Sequence, residues 1–337
     1  MQFYIFLPLY NIKVEESVLD KNFGGFKIIS NNFFKTKYEP LIINQISQEF
    51  LIELNEDIRK PHAGEGYTRE YAKYLLMKEC NINYPKNIAN TEEKEQFDEE
   101  IREIKRTFDK FILISRILSS GRLQVHNGYI FSVPYYACFQ LHTSTSIEHI
   151  RPFFYSEKPL LEGYYSMNED KFNSIIDNIH LLNVLDNLKL SIPILYFTHC
   201  YSATNLFDRI IKLAIILECT MLANCRDELK YRLNLRTCNF LGKNVSEELS
   251  IFYDARSSIV HCGDISNELY KKIKHIMQNK YNTNIEALFY FLQEKIEPII
   301  RNVLFESLKI FNGLDKIKNY TQLSESIDKQ IITSISS

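Results

Sequence analysis

Apolar positions along this chain follow two different periods, and the change between them divides it. In the first 155 residues, short runs such as FYIFLPLYNI and FKIIS are aromatic and β-branched, which suits strands. From Thr91 the period lengthens. Thr91 is placed to cap a helix whose first turn carries Glu92, Glu93 and Glu95, acids that the helix dipole favours there. Phe97, Ile101, Ile104, Phe108, Phe111 and Leu118 then recur three and four residues apart, one face of a long helix ending near Gly121. Asn127-Gly128 lies between two β-like runs in RLQVHNGYIFSVP and predicts a hairpin. The stretch RPFFYSEKPLLEGYY, containing Pro152, reads as a connector, with a boundary at 155–165.

Beyond it the pattern is helical almost throughout. Ser166-x-x-Glu169 and Thr283-x-x-Glu286 both read as capping boxes, the second opening a long C-terminal helix. Between them, Leu206, Ile210, Leu213, Ile216, Leu217, Met221 and Leu222 form a wide apolar stripe, expected of a helix central to a bundle. The next helix turns Leu229, Leu233, Cys238 and Leu241 inward and stops at Gly242. Asn244-x-x-Glu247 caps the one after, which runs to Gly263. After about Leu314 the chain is polar and serine-rich, a tail expected to fray. The pattern predicts an α+β protein: an N-terminal mixed α/β domain over 1–155, an all-α bundle over 160–315 and a polar tail over 316–337.

Composition narrows this further. Hydrophobic residues at 45% and charged residues at 24% exclude wholesale disorder, and only 10 glycines and 9 prolines argue against a glycine-rich nucleotide fold or a many-turned sandwich. The one Gly-x-Gly, in HAGEGYTRE, lacks a third glycine and a following helix and reads as a surface turn. Residues 1–150 carry 18 basic against 20 acidic side chains, and the remainder 22 against 22. Nucleic acid, if bound, therefore needs a local patch built by folding or by oligomerisation. Seven cysteines without a C-x-x-C pair read as reduced thiols. His142, His149 and His199 show no metal-ligand spacing, so neither a metal nor another cofactor is expected. The apolar N-terminus has no basic residue ahead of it and reads as a buried strand, not a signal peptide. Glu218 interrupts the longest apolar run, which excludes a membrane span there. A soluble, cytoplasmic protein is expected.

The segment FYDARSSIVHCG stands apart, with Arg256 and His261 separated by four residues and followed by a helix-ending glycine. The bare pair arises about once by chance among 13 arginines and 8 histidines, so its context matters more. A bundle helix with Leu217-Glu218 comes first, then a helix of the character E-L-x-Y-R-L, then one bearing Tyr253, Asp254, Arg256, Ser257, Val260 and His261. This ordered set resembles the HEPN superfamily, most closely its ApeA-like branch, over residues 190–310. The chain departs from that pattern in having Cys262 before Gly263. FDKFILISRILSSGRLQVHNG also resembles, more loosely, the N-terminal modules that accompany this branch.

The resemblance implies a metal-independent endoribonuclease. His261 would act as general base or acid, Arg256 would hold the phosphate and stabilise transition-state charge, and Ser257 would add a hydrogen bond to it. Asp254 reads as a surface or supporting partner. Glu218 reads as a buried carboxylate paired with Arg226, Lys230 or Arg232, in a supporting rather than catalytic part. Five residues put Arg256 and His261 about 140° apart on an unbroken helix. Either the helix breaks by Val260, or the site is assembled from two chains; the family's habit of dimerising favours a homodimer. By analogy the substrate is RNA, with transfer RNA as one guess, and the setting is anti-phage defence or a toxin effector under a phage-derived trigger. The alternative is a non-catalytic HEPN module, a scaffold for dimerisation or for binding RNA or a nucleotide.

Overall fold

A computed structural model describes residues 2–38, 40, 63–64, 67–68, 72–83, 91–121, 123–125, 128–133, 138–141, 164–186, 188–201, 203, 205–313 and 317–336. The chain is α+β, and it divides into two compact units, the first made of Met1–Arg116, Gly121–Ile150 and Glu162–Ile179 and the second of Ile117–Ser120, Arg151–Leu161 and His180–Ser337.

The first unit is built on strand β1 (Gln2–Tyr10), followed by β2 (Ile12–Val14), β3 (Phe26–Ser30) and helix α1 (Asn31–Lys37). Ala63–Gly64 (β4) and Tyr67–Thr68 (β5) pair with each other around the Gly-x-Gly segment. Then come β6 (Tyr74–Asn81), α2 (Thr91–Leu118), β7 (Gln124–Val125), β8 (Gly128–Val133), β9 (Cys138–Leu141), β10 (Tyr165–Met167) and α3 (Glu169–Asn178). The antiparallel sheet runs β3-β6-β1-β8-β9, with β7 also on β1. Both of its faces are covered. Phe3 and Phe26 meet Phe97 and Phe108 of α2, while Phe6 packs on Phe34 and Tyr38 at the other side. Burial on both sides explains why β1 reads as a continuous apolar run rather than an alternating one.

Asn127 lies outside the described residues, and the segments on either side of it do not make the expected hairpin. Strands β7 and β8 do not pair with each other; both run antiparallel along β1. From Leu9↔Val125 to Phe6↔Tyr129 the chain advances three residues on β1 and four on its partner. Both segments thus run in one direction along β1, where the dipeptide suggested a reversal. The division also falls later than the connector suggested. Strand β10 pairs in parallel with β2, and Phe172 of α3 meets the Phe23 ring at 5.7 Å, which ties this segment into the first unit. Gly121, three positions past the end of α2, has φ +129°, and a Cβ there would stand 2.7 Å from the Tyr165 Cα. Ser166 lies within β10, so the cap of α3 is Asn168, whose Oδ1 accepts the Lys171 N–H at 3.0 Å.

Among the described residues the second unit has helices and no strand. It comprises α4 (Leu188–Cys200), α5 (Leu206–Met221), α6 (Leu229–Leu241), α7 (Ser246–Cys262), α8 (Asn267–Ile276), α9 (Asn284–Phe291), α10 (Glu297–Asn312) and α11 (Tyr320–Ser336). Helix α5 is central, packed against α4, α6, α7, α10 and α11, with the predicted apolar stripe buried. The Thr283–Glu286 capping box forms as read. A π-helical turn over Leu292–Ile296 joins α9 to α10 and delivers Glu297 into the core between Arg209 and Arg301. Burial pushes the Glu297 carboxyl up, but the two guanidinium charges and their hydrogen bonds outweigh this and hold it below the usual range. Arg301 also donates to Tyr201 Oη at 3.1 Å and to the Ser119 carbonyl at 2.9 Å.

Three details of the bundle differ from the pattern. In α6 the buried positions are Leu233, Arg236 and Thr237, while Leu229, Cys238 and Leu241 are only partly covered. The cap residue of α7 is Val245, and Asn244 contributes through Oδ1, which accepts the Ser246 N–H at 3.2 Å. The serine-rich tail, expected to fray, holds a helix over Tyr320–Ser336. Its Leu323, Ile327 and Ile331 recur at helical spacing and are buried, and Asp328 receives Arg236 Nε at 2.8 Å.

Candidate functional site

Helix α7 carries every residue of the Arg–His segment, and its own sequence decides how they are displayed. Leu249, Ile251, Phe252 and Ala255 face inward. The helix continues without interruption through Cys262, and Gly263 closes it in the left-handed region (φ 75°), donating to the Ile259 carbonyl at 2.9 Å. The break by Val260 does not occur. Because the helix is unbroken, Arg256 and His261, five positions apart, stay about 140° apart around the axis and about 7.5 Å apart along it.

Arg256 points toward α5. Its Nη2 lies 3.1 Å from Glu218 Oε1 and donates to Oε2 at 3.3 Å, and its guanidinium carbon lies 5.9 Å from the centre of the Tyr253 ring. Both members of the pair are about a quarter exposed, 26% for Arg256 and 25% for Glu218, so the guanidinium keeps an open edge. Glu218 thus pairs with Arg256 instead of with the basic residues of α6. Burial pushes the Tyr253 hydroxyl up, the Glu218 charge adds to that, and Arg256 offsets part of it. The phenol is a neutral donor at pH 7.

Asp254 belongs to a different contact. Lys230 of α6 donates to both of its oxygens, at 2.7 and 2.8 Å, and one turn away Asn234 Nδ2 donates to Ser250 Oγ at 2.7 Å. These bonds stitch α6 to α7 in antiparallel fashion. A shallow depression of about 490 Å³ lined by Lys230, Tyr231 and Asn234 lies along α6, beside the stitch and not over Arg256. Ser257 is partly exposed and makes no hydrogen bond among the described residues. His261 is exposed beside Val260, which shows 52% of its surface. Asp254, Ser257 and His261 share one stripe of the helix, and Arg256 lies off it.

The structure therefore assembles Arg256, Glu218 and Tyr253 in one cluster and leaves His261 apart from it. Tyr253 and Lys230 are the polar neighbours that sequence reading did not assign to these places; their signal was spacing, Tyr253 preceding Arg256 by one turn. No family model, no curated protein and no solved structure matches the chain. Among the described residues no group of three or more His, Cys, Asp or Glu is placed to hold a metal ion, and no helix is long and apolar enough to cross a membrane. His142 and His149 lie outside the described residues.

Proposed function

We propose that this chain is a metal-independent endoribonuclease of HEPN type, resembling the ApeA-like branch, that acts as a homodimer. The observation that carries the reading is the display on α7: a guanidinium oriented by Glu218 with an open edge, and an unengaged imidazole at the end of the same helix. RNA brings its own nucleophile. His261 takes the proton of the 2′-OH, the 2′-oxygen attacks the adjacent phosphorus, and the P–O5′ bond breaks. Arg256 holds the non-bridging oxygens as charge builds on them, and Ser257 donates a further hydrogen bond. An imidazolium returns a proton to the departing O5′, leaving a 2′,3′-cyclic phosphate and a 5′-OH.

An unbroken helix does not turn both groups toward one phosphate. Two copies meeting along the ends of α7 would set Arg256 of one against His261 of the other, and would cover Val260. In this reading the first unit senses a phage-derived trigger, restrains the nuclease or positions RNA in the cytoplasm, with transfer RNA as a candidate substrate.

The test is cleavage of total RNA in EDTA by wild type, Arg256→Ala and His261→Ala, with product ends mapped. Wild type is expected to leave cyclic phosphates, and each variant to lose about 10²-fold or more. Mixing the two inactive variants restores about a quarter of the activity if the site is shared between copies. Intact RNA with wild type, together with expression in cells that His261→Ala does not render less toxic, would sink the reading. The scaffold alternative draws on the ion pair of Arg256, which a purely structural arginine would also make, and predicts that outcome.

A further inference from the structure

The helix that follows the candidate site carries an unpaired positive face. Two residues separate Gly263 from Ser266, whose Oγ accepts the Leu269 N–H at 3.3 Å and so caps α8. Leu269, Tyr270 and Ile273 turn into the bundle, and Lys271, Lys272 and His275 face solvent, with Lys274 partly covered and Lys280 exposed just beyond. No carboxylate occurs between Glu268 and Glu286. Lys274 donates to the Asn282 carbonyl at 3.4 Å, while Lys271, Lys272 and Lys280 make no ion pair among the described residues. Cations in the last turn complement the helix dipole, which accounts for Lys274 and His275. It does not account for Lys271 and Lys272 in the middle of the helix or for Lys280 beyond its end. The one acid on the outer face is Glu268, a turn before Lys272.

We propose that this face of α8 is a phosphate-binding track that carries a single strand of RNA past the end of α7. It rests on the nuclease reading for its substrate, but not for its geometry. The helix is about 15 Å long, enough for a few consecutive phosphates, and unpaired ammonium groups release counterions when they meet them. An anionic membrane is the weaker partner, because the apolar face that would enter it is already buried in the bundle.

The full-length chain with His261→Ala, which keeps the RNA intact, is titrated against a fluorescein-labelled single-stranded oligoribonucleotide at several salt concentrations. Neutralising Lys271, Lys272 and Lys280 together (each to Gln) is expected to weaken binding about tenfold or more at low salt. The slope of log K against log salt should fall by about 2, near 0.7 for each lost contact. Glu268→Gln should move affinity the other way, and if the triple variant fails to fold, it and Lys272→Gln carry the same test. Equal affinity and slope in the triple variant would overturn the proposal, placing the strand elsewhere while leaving cleavage by Arg256 and His261 to its own assay. Absence of RNA binding at low salt would overturn it too, and so would lysine-dependent binding to phosphatidylserine vesicles without RNA affinity. Lysine-dependent RNA binding by a chain that never cuts would uphold the track and remove the nuclease.

Discussion

Glu218 shows how one side chain is read differently once its neighbours are known. From sequence it is a carboxylate inside an apolar helix that needs some cation, and Arg226, Lys230 and Arg232 compete for it. The structure gives it to Arg256, the residue whose orientation matters most to the proposed chemistry. In the proposed chemistry its part is positioning: it fixes the guanidinium plane without touching substrate. Replacing Glu218 with Gln should lower the cleavage rate about tenfold, equivalent to about 1.4 kcal/mol, through kcat more than KM. The loss of stability should stay under about 1 kcal/mol because the pair is partly solvated. Arg256→Lys should not restore activity in either background, since a point charge lacks the planar fork. A Glu218→Gln enzyme that cuts at the wild-type rate would remove the positioning role.

At the scale of elements, most helices were legible because their stops and starts are chemical. Gly242 and Gly263 adopt left-handed backbone, and the Thr283 box is self-contained within one turn. What failed was whatever depended on a partner distant in sequence. The Asn127-Gly128 dipeptide suits a tight reversal locally, but the long strand β1 offers hydrogen bonds to both flanking segments, and pairing with it wins. The last helix failed for the same reason. A polar, serine-rich segment holds a helix here because α5 and α6 bury its apolar stripe and Arg236 anchors Asp328. Asp328→Ala should therefore cost about 2 kcal/mol, the worth of a charge-assisted hydrogen bond to a buried guanidinium. It should also raise amide exchange in α11 before that in α5. Uniform exchange along the bundle in that variant would contradict the anchoring.

For the whole molecule, burial sets the response to pH. Burial holds the hydroxyls of Tyr253, Tyr270 and Tyr320 and the thiols of Cys80, Cys200 and Cys219 above their ordinary values of 10.0 and 9.0. In the unfolded chain these groups lose protons from about pH 9 upward, while the native state retains them. The unfolded state then binds fewer protons, so stability is fully present below about pH 9 and declines as pH rises beyond it. Urea midpoints followed by circular dichroism should fall steadily from pH 9 to 11, and a flat profile over that range would show that the buried groups titrate normally. Charge behaves in a similarly local way. Totals over halves of the chain balance, and that balance conceals the lysines of α8, which only burial of Leu269, Tyr270 and Ile273 turns to one side.

By itself the sequence determined the α+β class, the position of the strands and helices with strong periods, the helix-ending glycines and the segment in which the chemistry was sought. These depend on side-chain period and local backbone preference, which a few consecutive residues contain. The tertiary structure alone decided the pairing of β7 and β8 with β1, the extension of the first unit to Ile179, the folding of the C-terminal helix and the partner of Glu218. It also decided that Arg256 and His261 stay on separate faces of an unbroken α7. Each of these is a competition among partners far apart in sequence, and the free energy that settles it comes from burial and pairing that exist only once the chain has folded.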